Sequence, residues 1–452
     1  MVDVDPDLLA GDRWQARLDD LAARHRVPGF QVGLLTPDGG VRVLAAGLAG
    51  LATGVEVTPH TLFHYGSITK VWITTLVLQL VDEGLLTLDA KVVDVLPDFR
   101  LADPEHGPAI TVRHLLTHTS GIDGDLFTDT GDDDGCLEGY VASLADAAAV
   151  TGAGGPLSYS NSGFCVAGRI VEVLRGTTWN AVLAERICAP LELSRVITLT
   201  RDAPLFRTAI GHLRHPETGE LMPTPNWQLP RSLGPAGLIT GDSADLLRFT
   251  AAHLRDGVGL NGERVLSAES ARLMRSVQVD LSGLLSTRIG WGLGWTLSDW
   301  GAAVAVEHNG STSGQLAALH SFPELGVAVC VLTNSEYGPA LTDELVDLVG
   351  ADLGLTRPRP AADPEAAQVD LAAVAGVYET PSLRCALTVQ EGGLVLRITD
   401  KASGGGPAPC AVTPLARDRF EFELNGATRE FALLTHDGVD HVFAGRLFRR
   451  TG

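Results

Sequence analysis

Apolar residues fall along this chain in two rhythms, and the changes between them mark its elements. Residues 7–26 carry Leu8, Leu9, Trp14, Leu18, Leu21 and Ala22 at helical spacing, which predicts an amphipathic helix. Residues 29–35 and 41–47 run apolar or alternate on either side of Pro37-Asp-Gly-Gly, the signature of a β-hairpin. After residue 67, Ile73, Leu76, Val77, Leu80 and Val81 return at i, i+3, i+4 and i+7, and Gly84 supplies the stop. Residues 111–122 predict a short helix closed by a Ser-Gly turn. Residues 136–152 and 164–174 predict two more helices, the second with Val166, Ile170, Val171 and Leu174 on one face. Residues 178–198 read as helix and loop, and 199–235 as an irregular excursion rich in Pro and His. Ser243 is placed to cap a further helix. Strands at 304–314, 316–322 and 327–332 form an antiparallel meander, and a helix over 340–353 follows with Leu341, Leu345, Leu348 and Val349 inward.

A Pro-rich, charged stretch at 357–365 then breaks the pattern and marks a linker. Beyond it, alternating stretches at 386–389, 394–398, 419–424, 430–434 and 442–448 are separated by Gly- and Asp-rich turns, which predicts a small antiparallel barrel or sandwich. The expected class is mixed α/β (α+β), with units at 1–355 and 369–452 joined by 356–368. No repeat relates the two.

Composition narrows the partners. With 452 residues, 45% apolar and 20% charged, the chain has the makeup of a globular protein. A formal net charge of −21 speaks against nucleic acid or an anionic membrane as partner. No apolar run is long enough to span a bilayer, and residues 1–25 lack the continuous apolar core of a secretory signal. The expectation is a cytoplasmic protein whose six scattered cysteines are free thiols. The acidic stretch 123–135 invites a calcium reading, but its acids do not match the spacing of an EF-hand loop. A solvated, lid-like loop with no metal is expected, and no cofactor is called for.

Three short motifs carry chemistry. Ser67 and Lys70 are three apart, so on a helix start they share a face, where an uncharged amine can take the hydroxyl proton. Backbone N–H groups at such a terminus favour developing negative charge. Tyr159 and Asn161 stand on a tight turn before a helix, placed to point two polar groups into a cleft. His308, Asn309 and Gly310 lie at a strand end where glycine permits close backbone approach. Each motif alone is common, and each has an ordinary reading as turn or sheet chemistry.

In this order and at these separations the three resemble the serine β-lactamase and penicillin-binding-protein superfamily, specifically its class C and esterase branch. The resemblance spans about residues 10–355 and extends to framework pieces at 81–89, 115–121 and 189–193. It implies an antiparallel sheet flanked by helices, with a helical subdomain. Ser67 matches the acylated nucleophile, Lys70 the amine beside it, and Tyr159 the phenol that shuttles a proton with Lys70. Asn161 matches the amide that contacts the lysine and the substrate. The N–H groups of Ser67 and Ser311 match the oxyanion hole, and Asn309 and Gly310 line the substrate strand. A cationic cluster there is expected to lower the pKa of both Lys70 and Tyr159. His308 departs from the Lys of many relatives, which removes a permanent charge and makes robust β-lactamase activity an unlikely inheritance.

The C-terminal β unit resembles the lipocalin-like appendage of standalone penicillin-binding-protein-type thioesterases. These take a peptide from a carrier-protein thioester onto serine and release it by head-to-tail cyclisation, favouring a D-residue at the acylating end. In that group an arginine of the appendage faces the site, and Arg446 is the matching position. A surface arginine on a terminal strand is its plain alternative. The partner implied is a peptidyl thioester on a carrier protein. The competing reading is a D-stereospecific peptidase or esterase acting on a small peptide or ester, and a third is a non-catalytic sensor of peptidyl ligands.

Overall fold

The computed structural model describes residues 8, 9, 12–215, 217–359 and 362–452. Its larger sheet has nine antiparallel strands, in the order Val55–Glu56, Val41–Gly50, Gly29–Leu35, Val327–Thr333, Gln315–Phe322, Val304–Thr312, Thr296–Asp299, Arg288–Trp291 and Val279–Asp280. The N-terminal hairpin therefore sits beside the late meander, with Phe30 opposite Thr333 and Leu35 opposite Ala328.

Strand alternation sends the two faces into different cores. Phe30, Val32 and Leu34 pack with Leu18 and Leu21 of the helix Asp12–His25 and with Leu341, Leu345 and Val349 of the helix Gly338–Asp352. On the opposite face lies the helix Thr69–Asp82, buried all round from Thr69 to Leu80. Its Trp72 stacks on Phe249 with ring centroids 3.7 Å apart and planes 11° from parallel.

Several boundaries differ from expectation for identifiable reasons. The first helix begins at Asp12, whereas Leu8 and Leu9 occupy a turn, Leu9 with φ 55°, yet still bury in the same core. Residues 7, 10 and 11 of the expected helix lie outside the described residues. The helix near 243 is capped by Asp242, whose carboxylate accepts from the Asp245 N–H, one position before Ser243. The helix from Cys136 ends at Ser143, and a 3-10 turn over Leu144–Asp146 follows, short of residue 152. The helix expected from Phe164 starts at Asn161, because the Ser160 hydroxyl accepts from the Gly163 N–H. The excursion 199–235 contains a small hairpin, His212–Arg214 with Leu221–Pro223. Within the linker, Pro364–Gln368 forms a 3-10 turn, and residues 360 and 361 lie outside the described residues.

The C-terminal strands close into an eight-stranded antiparallel barrel, from Gly376–Glu379 to Leu447–Arg450. Its interior is filled. Phe420 and Phe431 stack at 4.9 Å and 10°, packed with Leu387, Leu396 and Val442. Residues 442–448, expected as one alternating strand, are instead split by a turn in which Gly445 has φ 75°. All six cysteines are free thiols. Among the described residues no helix is long and apolar enough to cross a membrane.

Phe431→Ala is expected to cost about 3–5 kcal/mol by opening a cavity in the barrel. Urea unfolding followed by tryptophan fluorescence and circular dichroism measures it.

Candidate active site

Ser67 sits in a 3-10 turn over Gly66–Ile68 that runs directly into the helix Thr69–Asp82. The turn is pressed against the strand Val304–Thr312 so closely that only glycines fit between them. A Cβ on Gly310 would collide with the Tyr65 carbonyl oxygen and stand 3.1 Å from the Ser67 nitrogen. One on Gly66, where φ is +52°, would stand 2.7 Å from the Ser311 nitrogen. The two amide nitrogens expected of an oxyanion hole therefore flank one narrow gap.

Lys70 has no solvent exposure. Its Nζ donates to Ser67 Oγ at 3.0 Å and to the Ala236 carbonyl oxygen at 2.6 Å, and lies 4.9 Å from the centre of the Tyr159 ring. Burial pushes its pKa down from 10.5 to about 7, and the Arg446 guanidinium adds a smaller push the same way. A substantial fraction is thus uncharged near neutrality.

Tyr159 is held as part of a seam between the sheet-bearing body and the barrel. Its N–H donates to the Gly445 carbonyl at 2.9 Å, and the Leu447 N–H donates to Ser158 Oγ at 3.2 Å. Leu157, Leu281, Trp291, Phe443 and Leu447 close an apolar cluster around that seam. The expectation of a lowered phenol pKa is overturned. Burial raises it, and the hydrogen bond with Ser67 and the Arg446 charge only partly oppose that rise. Tyr159 is a neutral phenol here, and Lys70 is the group whose lowered pKa would suit a base.

His308 is buried in the strand Val304–Thr312, its Nδ1 against the Asn309 carbonyl at 2.6 Å. Burial first, and then the nearby Lys70, lowers its pKa from 6.5 to about 3, so it is neutral. Asn309 is exposed on the same strand. Asn161 opens the helix Asn161–Arg175, and its N–H donates to the Gly124 carbonyl at 3.2 Å. The expected contact between its side chain and Lys70 is not made among the described residues; the Ala236 carbonyl takes that place.

Arg446 stands in the turn between the last two barrel strands. It grips Asp125 through Nε and Nη2 and places its guanidinium carbon 5.4 Å from the centre of the Tyr159 ring. Burial pulls its pKa down, but the charge and hydrogen bonds of Asp125, with Tyr159 and Asp123, leave it raised on balance. The stretch 123–135 is accordingly not one solvated loop. Asp123 and Gly124 are buried, with Ser382 of the barrel donating to the Asp123 carboxylate. Farther on, Arg231 holds Asp134 and the Asp132 carbonyl, and Phe127 is 50% exposed. Sequence reasoning missed Asp125, the Ala236 carbonyl and the Trp291 wall; a buried base implies such neighbours, but nothing in the chain names them.

A family profile described as Beta-lactamase matches residues 14–351. The chain belongs to the beta-lactamase family.

Penicillin-binding protein 4 of Amycolatopsis lactamdurans is 42% identical over 377 residues, covering 81% of this chain and 97% of that protein. Esterase EstB of Burkholderia gladioli is 30% identical over 379 residues, covering 74% and 95%. Among solved structures, SurE superposes with a TM-score of 0.72 at 26% identity over 96% of this chain and 97% of that one, and has also been solved with D-Leu. This beta-lactamase family member thus has a serine-hydrolase-type fold.

With Lys70 as the base, which must be uncharged to act, ester turnover is expected to rise with pH through about 7, nearly tenfold per unit on the acid side. Initial rates with a p-nitrophenyl ester between pH 5 and 9 test this. Gly310→Ala, by forcing the strand away from the turn, is expected to lower the acylation rate about 100-fold, with rates read from the chromogenic burst.

Proposed function

We propose that this protein is a serine acyl-enzyme thioesterase that takes a peptide from a carrier-protein thioester and releases it by head-to-tail cyclisation. Uncharged Lys70 accepts the Ser67 proton as Oγ attacks the thioester carbonyl. The N–H groups of Ser67 and Ser311 stabilise the oxyanion. On collapse, the proton passes through the Tyr159 phenol to the departing sulfur, leaving the peptidyl ester on Ser67. The peptide's own amine then attacks that ester, its proton passes to Lys70, and the Ser67 oxygen is reprotonated as it leaves. Asn161 and the edge of the strand at Asn309 and Gly310 hold the acyl chain.

The observation that carries this reading is Arg446, which comes from the barrel and reaches both the Tyr159 ring and Asp125. A plain hydrolase domain needs no such contribution. The match to SurE over nearly the full chain, barrel included, supports it, and the SurE structure with D-Leu supports a D-residue at the acylating end. The second reading, a D-stereospecific peptidase or esterase, is favoured by the likeness to Penicillin-binding protein 4 and Esterase EstB.

Incubation with peptidyl N-acetylcysteamine thioesters ending in D- or L-residues separates the two. Cyclic product by mass, with the D-terminated substrate preferred, is expected. Linear product alone from every substrate overturns the cyclase reading and leaves the hydrolase. Ser67→Ala abolishes both products, and Arg446→Ala shifts the ratio toward linear product.

A further inference from the structure

His118 lies outside the Ser67, Lys70, Tyr159 set, in a stretch that sequence comparison treats as framework. Its surroundings are not those of a packing residue. The ring stacks on Tyr159 with centroids 4.2 Å apart and planes at 27°. Trp291 meets it edge-on at 4.7 Å, and Phe164 lies at 5.1 Å. The residue also takes two hydrogen bonds from the residues on either side of Tyr159. The Ser158 N–H donates to its carbonyl oxygen at 2.9 Å, and the Ser160 N–H donates to its Nδ1 at 2.9 Å. A backbone in the left-handed region, φ 58°, accompanies this double grip.

The hydrogen bond from Ser160 fixes the tautomer. An Nδ1 that accepts leaves the ring proton on Nε2, and Nε2 is fully buried with no partner among the described residues. A buried unpaired donor is a standing cost that native proteins rarely carry. A phenylalanine would avoid that cost and still fill the space, but it would release the Ser160 N–H. What histidine uniquely supplies here is an aromatic face and an acceptor on one ring.

We infer that His118 is the positioning residue for Tyr159. It grips the backbone on both sides of the tyrosine and supports the phenol ring from beneath, so that the hydroxyl stays within reach of Ser67 and Lys70. The barrel turn completes the hold from the other side, through the Gly445 carbonyl on the Tyr159 N–H. This inference rests on Tyr159 carrying the proton in the proposed reaction.

The test is a double-mutant cycle in the full-length protein with p-nitrophenyl butyrate as probe. His118→Phe keeps a ring and loses the acceptor. His118→Asn tolerates the left-handed backbone, keeps a short acceptor and loses the stack. Each is expected to lower kcat about 10- to 100-fold with KM changed less than about twofold, since a small displacement of a reacting group costs rate more than binding. In a Tyr159→Phe background the same substitutions should change kcat less than about twofold, because the residue they act through is already gone. Thermal melts of every variant report folding, and whichever His118 variant melts like the parent is the one scored. If Tyr159→Phe is as fast as the parent, the proton route fails and this inference falls with it. If Tyr159→Phe is slow but the His118 losses multiply with it undiminished, the route stands and His118 is a packing residue only.

Discussion

The site depends on an amine kept out of water. Lys70 has no exposed surface, and the downward move of its pKa from 10.5 to about 7 corresponds to about 5 kcal/mol against its charged form. That is comparable to the whole net stability of many domains, about 5–15 kcal/mol. The enclosing elements must therefore be rigid and well packed on their own account. The helix Thr69–Asp82 meets this demand by being buried on every side, and the Trp72–Phe249 stack anchors its first turns. The Ala236 carbonyl gives the amine one fixed acceptor, which orients it toward Ser67 without adding a charge.

Charge balance around the amine adds a smaller effect to that of burial. A bare carboxylate nearby would restore the ammonium form. Asp125 is close enough to raise the Lys70 pKa, and Arg446 both binds that carboxylate and lowers the Lys70 pKa itself. The barrel thus enters the electrostatics of the body, besides holding the Tyr159 backbone. His308 adds no charge, because burial keeps its ring neutral. The net effect is a nearly uncharged pocket in a strongly acidic protein, with one buried amine.

Local periodicity made much of this legible. Ser67 and Lys70 are three apart at a helix start, a relation that sequence spacing fixes without any knowledge of the rest of the chain. The glycine at 310 signalled close backbone approach, and the collision its Cβ would make with Tyr65 is the physical reason for it. The features that escaped notice are those set by long-range packing. Tyr159 carries a raised pKa because its pocket desolvates it more than the Ser67 hydrogen bond and the Arg446 charge compensate, and no spacing rule reports that balance. Asn161 is expected as a partner of Lys70, but the carbonyl that occupies that place belongs to a short helix, Gly234–Gly237, at the end of the stretch 199–235 expected to be irregular. Arg446 looked like part of a strand because residues 442–448 alternate; the left-handed Gly445 turns the chain there and presents the arginine at a tip.

In the proposed reaction, the position of positive charge bears on the fate of the acyl group. In the relatives that the sequence resembles, a lysine on the strand fixes the charge beside the substrate. Here that strand carries neutral His308, and the permanent charge comes from Arg446 on the barrel, paired to Asp125 on the opposite wall. That ion pair can exchange partners with a ligand only by parting. A peptide whose free ammonium pairs with Asp125 and whose carbonyls take up Arg446 would supply both halves of that exchange; water supplies neither with comparable charge. In the proposed reaction, the choice between amine and water would fall to the barrel turn, through the acceptor that meets the charges Asp125 and Arg446 otherwise satisfy in each other.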